Sequence, residues 1–596
     1  MSEREMDHQE TVKKEIVMKG VAASPGITMG PAYLFIKEIP AVEERTVETG
    51  AIDTELQRLD RAIEKSSKEL DKILAFARQK VGDAKAKIFE AQIMVLEDRI
   101  LIDSIKKRIR REGKNAEFIV SDEIGKYAKL MLSAHDEYMH ERAHDVEDLK
   151  HRIVRNLLEE RLISKLEGTV IVVAHTLTPV DTMILSRNSI LGYATDHGGV
   201  TSHAALVSRS LKIPAVVGLG DITRKVVSGD SLILDGYGGT MIINPSRETV
   251  QKFETKRMHF LEFESQLVGL KDLPATTPDG HAIELSSNIE LKEELDYVMV
   301  QGSQGVGLYR SESMLIERDD FPSEEEQYRE YRAVAGRIYP KRVIMRTFDI
   351  GGDKVAPDTA EEANPFLGWR GIRISLDRPD LFKAQLRAML RASTRKNIAI
   401  MFPMVTNVRE MRLAKQYVEE AKAELRAKKV KFDSTISVGT MIEVPAAALN
   451  ASQIAAESDF LSIGSNDLTQ YLLAVDRGNA LVSSLYQELE PAVLMTIKHI
   501  INAGHKRGIW VGICGEMASN PIATPLLIGM GIDELSVVPV FLPEIKKIVR
   551  SVKYTDAVEL AKRVLTLPTV EEVEKHLREF MRRTCPDILL VTDEVE

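Results

Sequence analysis

Cysteine and long apolar runs are the scarcest features of this 596-residue chain. Its two cysteines, Cys514 and Cys585, are too few for a disulfide framework and fit a reducing compartment. No apolar run approaches the roughly 20 residues that a membrane-spanning helix needs. The polar segment 1–15 lacks the apolar core of a secretory signal. We therefore expect a cytoplasmic protein with no membrane insertion.

An excess of positive charge is also missing. The formal net charge is −10, which argues against nucleic acid or an anionic membrane as the main partner. Apolar residues make up 44% and charged residues 29% of the chain, the balance of an ordinary globular protein. The length predicts several domains.

The N-terminal half alternates between β-rich and helical character. Two β-rich pieces, 16–46 and 161–246, are predicted to form one domain, and the amphipathic segment 47–160 is predicted to be a helical bundle inserted into it. The sequence of residues 247–278 predicts a charged helix followed by a Pro-rich loop, which is typical of a linker or hinge.

The C-terminal half repeats a short apolar strand followed by a helix eight times. Eight βα units in about 300 residues predict a TIM barrel over 279–582, followed by a tail at 583–596. The fold class is therefore α/β multidomain. The predicted strands are Ile283–Ile289, Gly305–Leu308, Val343–Arg346, Ile398–Phe402, Ser437–Ile442, Phe460–Ile463, Val511–Ile513 and Leu535–Val537.

Polar side chains follow the predicted barrel strands. A TIM barrel carries its active site at the carboxyl ends of its strands, so these side chains are expected to meet. They are Arg310 after the second strand, Arg346 after the third, Glu443 after the fifth, Asn466, Asp467 and Arg477 after the sixth, and Cys514 after the seventh.

These residue types suit a small polyanion bound beside a metal ion. Glu443 and Asp467 are hard oxygen ligands of the kind Mg²⁺ prefers. The arginines bind phosphate or carboxylate through paired hydrogen bonds. A thiol at Cys514 is mostly protonated at pH 7 and is available as an acid, although a lone cysteine is more often a buried core thiol. Cys585 is assigned no role.

The stretch HGGVTSHAALVSRSL predicts a second reactive element. Gly198 and Gly199 allow backbone amides to turn toward an anion at a helix start. His203, at that start, is predicted to accept a phosphoryl group, and the Thr182 hydroxyl is predicted to orient its ring. His197 is interpreted as an ordinary exposed histidine.

Several motifs together resemble Enzyme I of the bacterial sugar phosphotransferase system. They include GVAASPGI, GGVTSH, SLKIPAVVG, GVGLYRSE, RTFDIGGDK, NPFLGWRGIRI, GTMIEVPAAA, SIGSNDLTQYLLAVDRGN and CGEMAS. The resemblance implies a phosphohistidine domain, an inserted helical domain that docks the carrier protein HPr, and a barrel that binds phosphoenolpyruvate and forms a homodimer.

The resemblance also implies roles for individual residues. His203 is phosphorylated and Cys514 protonates the enolpyruvate. The phosphoenolpyruvate ligands are Arg310, Arg346, Asn466, Asp467 and Arg477, and the Mg²⁺ ligands are Glu443 and Asp467.

This chain departs from the family pattern near His203 and in the barrel. Val200 stands where Enzyme I has arginine, His197 stands where a small or acidic residue is usual, and YRSESML replaces YRTEFLF. A pyruvate phosphate dikinase or phosphoenolpyruvate synthase is the alternative, but those enzymes need a large nucleotide-binding domain before the phosphohistidine domain. A non-catalytic regulatory paralogue is the other alternative, and it is expected to have lost barrel ligands that this chain keeps.

Overall fold

The computed structural model divides the chain into two compact units, Met1–Leu261 with Thr592–Glu596, and Glu262–Val591. No helix of the described residues is long and apolar enough to cross a membrane. The residues that the structure describes are 14–35, 42–81, 93, 96, 98–132, 137–158, 169–186, 190–199, 203–315, 320–351, 362, 364–479 and 481–592.

The first unit contains one eight-stranded mixed sheet. Its order is β1-β8-β7-β3-β4-β5-β6-β2, and the segment β3-β4-β5-β6 is parallel. The strands are β1 (Ile16–Lys19), β2 (Val21–Ser24), β3 (Ile27–Phe35), β4 (Ile171–Ala174), β5 (Gly192–Thr195), β6 (Ala215–Val217), β7 (Ser231–Asp235) and β8 (Thr240–Ile243).

Both faces of this sheet are covered. Successive side chains of a strand point to opposite faces, and in β4 Ile171 and Val173 join one apolar cluster while Val172 joins another. This is why β4 reads as an unbroken apolar run.

Helices interrupt the sheet between β3 and β4, which pair directly in register Ala32↔Ile171. Their shared core includes the fully buried Leu59, Leu70 and Ile105. The predicted inserted bundle is therefore confirmed, and most of residues 82–97 lie outside the described part of the chain. The bundle helices are α1 (Ile52–Val81), α2 (Arg99–Glu112), α3 (Ala116–Leu132) and α4 (Glu137–Leu157).

The remaining helices of this part of the chain are shorter, apart from the last. They are α5 (Pro179–Ser186), α6 (His203–Leu211), α7 (Ile222–Lys225) and α8 (Arg247–Leu270). The division between the two units falls inside α8, between Leu261 and Glu262.

The second unit is a closed barrel of eight parallel strands, which confirms the predicted TIM barrel. Each strand lies within two residues of its predicted position. The strands are β9 (Glu284–Ile289), β10 (Val306–Arg310), β11 (Val343–Arg346), β12 (Ile398–Phe402), β13 (Ser437–Ile442), β14 (Leu461–Gly464), β15 (Val511–Cys514) and β16 (Glu534–Val537).

Amphipathic helices surround the barrel and bury their apolar faces against the strands. They are α9 (Leu295–Val300), α10 (Glu324–Ile338), α11 (Ile372–Asp377), α12 (Pro379–Ala392), α13 (Val408–Ala427), α14 (Pro445–Leu449), α15 (Ala451–Ala455), α16 (Ser465–Leu473), α17 (Pro491–Lys506), α18 (Thr524–Met530), α19 (Leu542–Ser551), α20 (Tyr554–Val564), α21 (Val570–Thr584) and α22 (Pro586–Thr592). Short 3-10 turns are found at Thr49–Ala51, Lys292–Glu294, Ser311–Leu315, Pro365–Leu367, Ser393–Arg395, Ser483–Leu485, Met517–Ser519 and Pro539–Phe541.

Candidate active site

The carboxyl ends of the barrel strands bring the predicted side chains to one edge. Arg310 and Arg346 are the last residues of β10 and β11 and are register partners. Cys514 ends β15 opposite Gly464, the last residue of β14. Glu443 follows β13 directly. Asn466 and Asp467 lie in the first turn of α16, which starts immediately after β14.

Arg346 is a buried cation held by two carboxylates. Its side chain is 6% exposed, its Nη2 pairs with Glu312, and its Nη1 lies 3.1 Å from Asp349 Oδ2. Burial alone would lower its pKa, but Glu312 and Asp349 outweigh this and raise it. The guanidinium therefore stays charged, and neither Glu312 nor Asp349 was singled out from the sequence.

Arg370 is a functional candidate that the sequence reasoning missed. It precedes α11, is 3% exposed, and donates from Nη2 to Asp349 Oδ2 at 3.1 Å and to Asp467 Oδ2 at 2.6 Å. A further bond runs from Nε to Asp349 Oδ1 at 3.2 Å, and another from Nη1 to the hydroxyl of Tyr471 at 3.2 Å. In the sequence, Arg370 belongs to the GWRGIRI motif. It does not directly follow a predicted strand, so the search for polar residues at strand ends does not find it.

Glu443 and Asp467 fit a divalent cation. Glu443 is 1% exposed and accepts a 2.6 Å bond from the Met404 amide on Oε1. Burial, with Asp467 and Asp349 nearby, raises its pKa well above the usual range. Asp467 Oδ1 is buried and has no hydrogen-bond partner within the described part of the chain. A bound cation would satisfy that oxygen and favour the ionised form of Glu443.

The protein supplies only part of a coordination shell. Within the described ranges, no group of three or more His, Cys, Asp or Glu side chains is arranged to hold a metal ion. Mg²⁺ is commonly bound by one or two carboxylates, with substrate oxygens and water completing its octahedron. The pair Glu443 and Asp467 therefore suits Mg²⁺ bound together with an anionic substrate.

Cys514 is buried and its thiol is kept protonated. It is 2% exposed, its Sγ lies 3.5 Å from Ile463 O, and Ser462 Oγ donates to Sγ at 3.8 Å. Burial raises the pKa of the thiol to about 11. The group can donate a proton at neutral pH without first losing it to water.

The other predicted ligands are less buried. Arg310 is about one third exposed and pairs with Glu290. Asn466 makes two hydrogen bonds with Glu516. Its Nδ2 donates to Glu516 Oε1 at 3.2 Å, and its Oδ1 accepts from the Glu516 backbone amide at 2.8 Å. The Arg477 amide donates to Gln470 Oε1 at 3.1 Å, which fixes its backbone beside α16.

The predicted nucleophile belongs to the first unit. His203 is the first residue of α6, while its side chain and residues 200–202 lie outside the described residues. Gly198 before it has φ +137°, which favours glycine. Thr182 is fully buried and its Oγ1 donates to Thr178 O at 3.1 Å. That Thr182 orients His203 stays a prediction.

Comparison with protein families gives three matches in chain order. They are the N-terminal domain of PEP-utilising enzymes over residues 19–142, the mobile domain over 166–239, and the PEP-binding domain over 264–554. The fold and these matches together define a PEP-utilising enzyme.

Relatives extend this likeness over nearly the whole chain. The phosphoenolpyruvate-protein phosphotransferases of Staphylococcus carnosus and Haemophilus influenzae are each 41% identical over 95% of this chain and 99% of their own length. The chain belongs to the phosphoenolpyruvate-protein phosphotransferase family. A solution structure described as Enzyme I (nEIt) is 41% identical, covers 41% of this chain and 99% of its own, and has a TM-score of 0.36.

Proposed function

We propose that this chain takes the phosphoryl group of phosphoenolpyruvate onto His203 and passes it to a histidine of an HPr-type carrier protein, releasing pyruvate as the first step of sugar uptake. The observation that carries the proposal is the meeting of Arg310, Arg346 and Cys514 with two carboxylates at one barrel edge, in a chain related to these phosphotransferases along its length.

The arginines bind and neutralise the substrate. Arg310, Arg346 and Arg477 hold the phosphate and carboxylate, and Asn466 donates an amide hydrogen to an oxygen. The buried ion pairs of Arg346 fix its position before substrate arrives, so little reorganisation is needed.

Glu443 and Asp467 would hold Mg²⁺, and Arg370 keeps Asp467 in place through its 2.6 Å bond. When bound, the ion supplies charge neutralisation on the phosphoryl oxygens. The Asp467 backbone is expected to add a substrate contact.

The chemistry is a phosphoryl transfer followed by a proton transfer. The P–O bond of phosphoenolpyruvate breaks as a P–N bond forms at the His203 imidazole. The enolate left behind takes the Cys514 proton on carbon and becomes pyruvate, and the thiolate recovers a proton from water. In the second transfer the P–N bond at His203 breaks as one forms on the carrier histidine.

One histidine must therefore meet two partners. His203 lies in the first unit and the barrel residues lie in the second, so segment 247–278 is proposed as the hinge between them. The inserted bundle 47–160 is proposed as the carrier-docking domain. We also propose that the reaction takes place in the cytoplasm.

We also propose that the barrel forms a homodimer. Leu449 at the end of α14 is 80% exposed, and Met495 on the contacting helix α17 is 60% exposed. Leu481 and Leu485, in the loop before α17, are 90% and 61% exposed. Charged substitutions L449E and M495E are expected to give a monomer by analytical ultracentrifugation, while unchanged dimer mass would exclude this face.

The test of function is transfer to purified HPr. With phosphoenolpyruvate and Mg²⁺, one pyruvate is expected for each HPr phosphorylated, and H203Q is expected to release none. H259Q, in α8, is the control and should behave as wild type. Phosphorylation of the chain by ATP but not by phosphoenolpyruvate would favour the dikinase alternative. No phosphorylation from either donor would favour the regulatory paralogue.

A further inference from the structure

Two histidines of the first unit lie side by side and have no part in the proposed phosphotransfer. His175 follows β4, and His197 follows β5 after one intervening residue. Strand pairing continues past both strand ends, because the His197 amide donates to His175 O at 3.1 Å. The two imidazole rings meet edge to face, with centroids 4.6 Å apart.

A buried carboxylate fixes one of the two rings. His175 Nδ1 lies 2.9 Å from Asp196 Oδ2, and the side chains of His175 and Asp196 are 68% and 3% exposed. Thr223 holds the same carboxylate through its amide, 3.0 Å from Oδ1, and through its hydroxyl. Three contacts therefore hold this buried carboxylate in place as the hydrogen-bond acceptor of the His175 ring.

This arrangement is the one found behind metal-ligating histidines. Such a histidine donates one ring N–H to a carboxylate, which fixes the tautomer and leaves the other nitrogen for the metal. Here the Asp196 bond occupies Nδ1 of His175, so Nε2 of a largely exposed ring carries the free lone pair.

The spacing of the rings also fits a shared ion. With a metal–nitrogen distance of about 2.0–2.1 Å, an ion lies roughly 3.2 Å from each ring centroid. Two rings on one ion at 90–110° then have centroids about 4.5–5.2 Å apart. The observed 4.6 Å lies within that range.

We propose that His175 and His197 bind one divalent transition-metal ion of the Zn²⁺ class, with Asp196 positioning His175 and water completing the shell. Imidazole nitrogen favours Zn²⁺ over Mg²⁺, which prefers oxygen. The site is separate from the carboxylates of the barrel and does not depend on the proposed phosphotransfer.

The test is calorimetric titration of the full-length metal-free protein with Zn²⁺, without phosphoenolpyruvate and with excess Mg²⁺ to occupy the barrel carboxylates. H175Q and H197Q are each expected to weaken one Zn²⁺ site at least about tenfold, and D196N to weaken it about 10–100-fold. His175 is largely exposed, so H175Q tests the proposal even if D196N fails to fold.

H505Q is the matched control. His505 is also an exposed imidazole on a carboxylate, 2.8 Å from Asp533 Oδ2 with a side chain 41% exposed, and its loss should leave this site unchanged. The proposal is overturned if the double variant H175Q/H197Q binds Zn²⁺ with the wild-type stoichiometry and affinity, or if H203Q alone removes the site.

Discussion

Replacing Arg370 with methionine tests the charge balance beneath the proposed metal site. The guanidinium lies between Asp349 and Asp467, which are 1% and 8% exposed, and bonds to both. Methionine fills much of the same volume without charge, so R370M leaves both carboxylates buried without this counter-ion.

Removing one partner of a buried ion pair costs about 3–5 kcal/mol, because the other charge is left uncompensated. At roughly 2 °C per kcal/mol for a large unit, the barrel should unfold about 6–10 °C lower. The same change makes the carboxylate cluster more negative. Saturating Mg²⁺ should therefore raise the Tm of R370M more than that of the wild type, which reverses part of the loss.

Differential scanning calorimetry with and without Mg²⁺ measures both effects. R373M is the control, because Arg373 lies three residues further on and its Nη1 donates to the carbonyls of Leu367 and Gly368, at 2.9 and 2.7 Å. It should lower Tm by a few degrees at most and leave the Mg²⁺ effect unchanged. A Tm of R370M within about 2 °C of the wild type, or an equal Mg²⁺ shift in both proteins, would show that Arg370 does not balance the charge of these carboxylates.

Three other substitutions test the Cys514 thiol, the space beside Glu443 and the buried Glu544. C514S should keep phosphoenolpyruvate affinity in calorimetry but slow pyruvate formation by about 10²–10⁴-fold in rapid quench, because a hydroxyl is a much weaker acid; unchanged turnover would remove Cys514 from the mechanism. G464A should weaken Mg²⁺ binding, since a Cβ at Gly464 would lie 2.8 Å from Glu443 Oε2. G269A is the control, because nothing lies within 4 Å of the added atom, and it should leave Mg²⁺ binding intact; equal Mg²⁺ affinity in both variants would contradict this. Burial raises the pKa of Glu544 to about 7, so the contribution of this group to stability is present below its unfolded pKa of about 4.3 and is lost as pH rises toward 7. In urea unfolding, E544Q should therefore be more stable than the wild type at pH 8 by about 1–3 kcal/mol. A gain in stability at pH 5 but not at pH 8 would contradict this.

The barrel could be predicted from the sequence because each strand is a short apolar run followed by polar residues. The prediction placed the second strand at Gly305–Leu308, whereas it is Val306–Arg310. The extension arises from pairing of Tyr309 and Arg310 with β11. This is a tertiary effect, since register with a neighbouring strand decides where a strand stops.

The partners of the arginines could not be predicted in the same way. Glu290 and Glu312 follow strands, but nothing in their spacing says that they pair with Arg310 and Arg346. Arg370 approaches Asp467 from a point 97 residues away in the chain. Contacts of this kind depend on the conformation of the loops that follow the barrel strands. The spacing of apolar residues in the sequence gives no information about loop conformation.

Phosphorylation of His203 is measured by locating the phosphoryl group after the wild-type protein is mixed with phosphoenolpyruvate and Mg²⁺. Peptide mass spectrometry under neutral conditions, which preserve phosphohistidine, should find one modification, on His203. A phosphoryl group on His175 or His197 instead, or none anywhere in the chain, would show that His203 is not the phosphoryl acceptor.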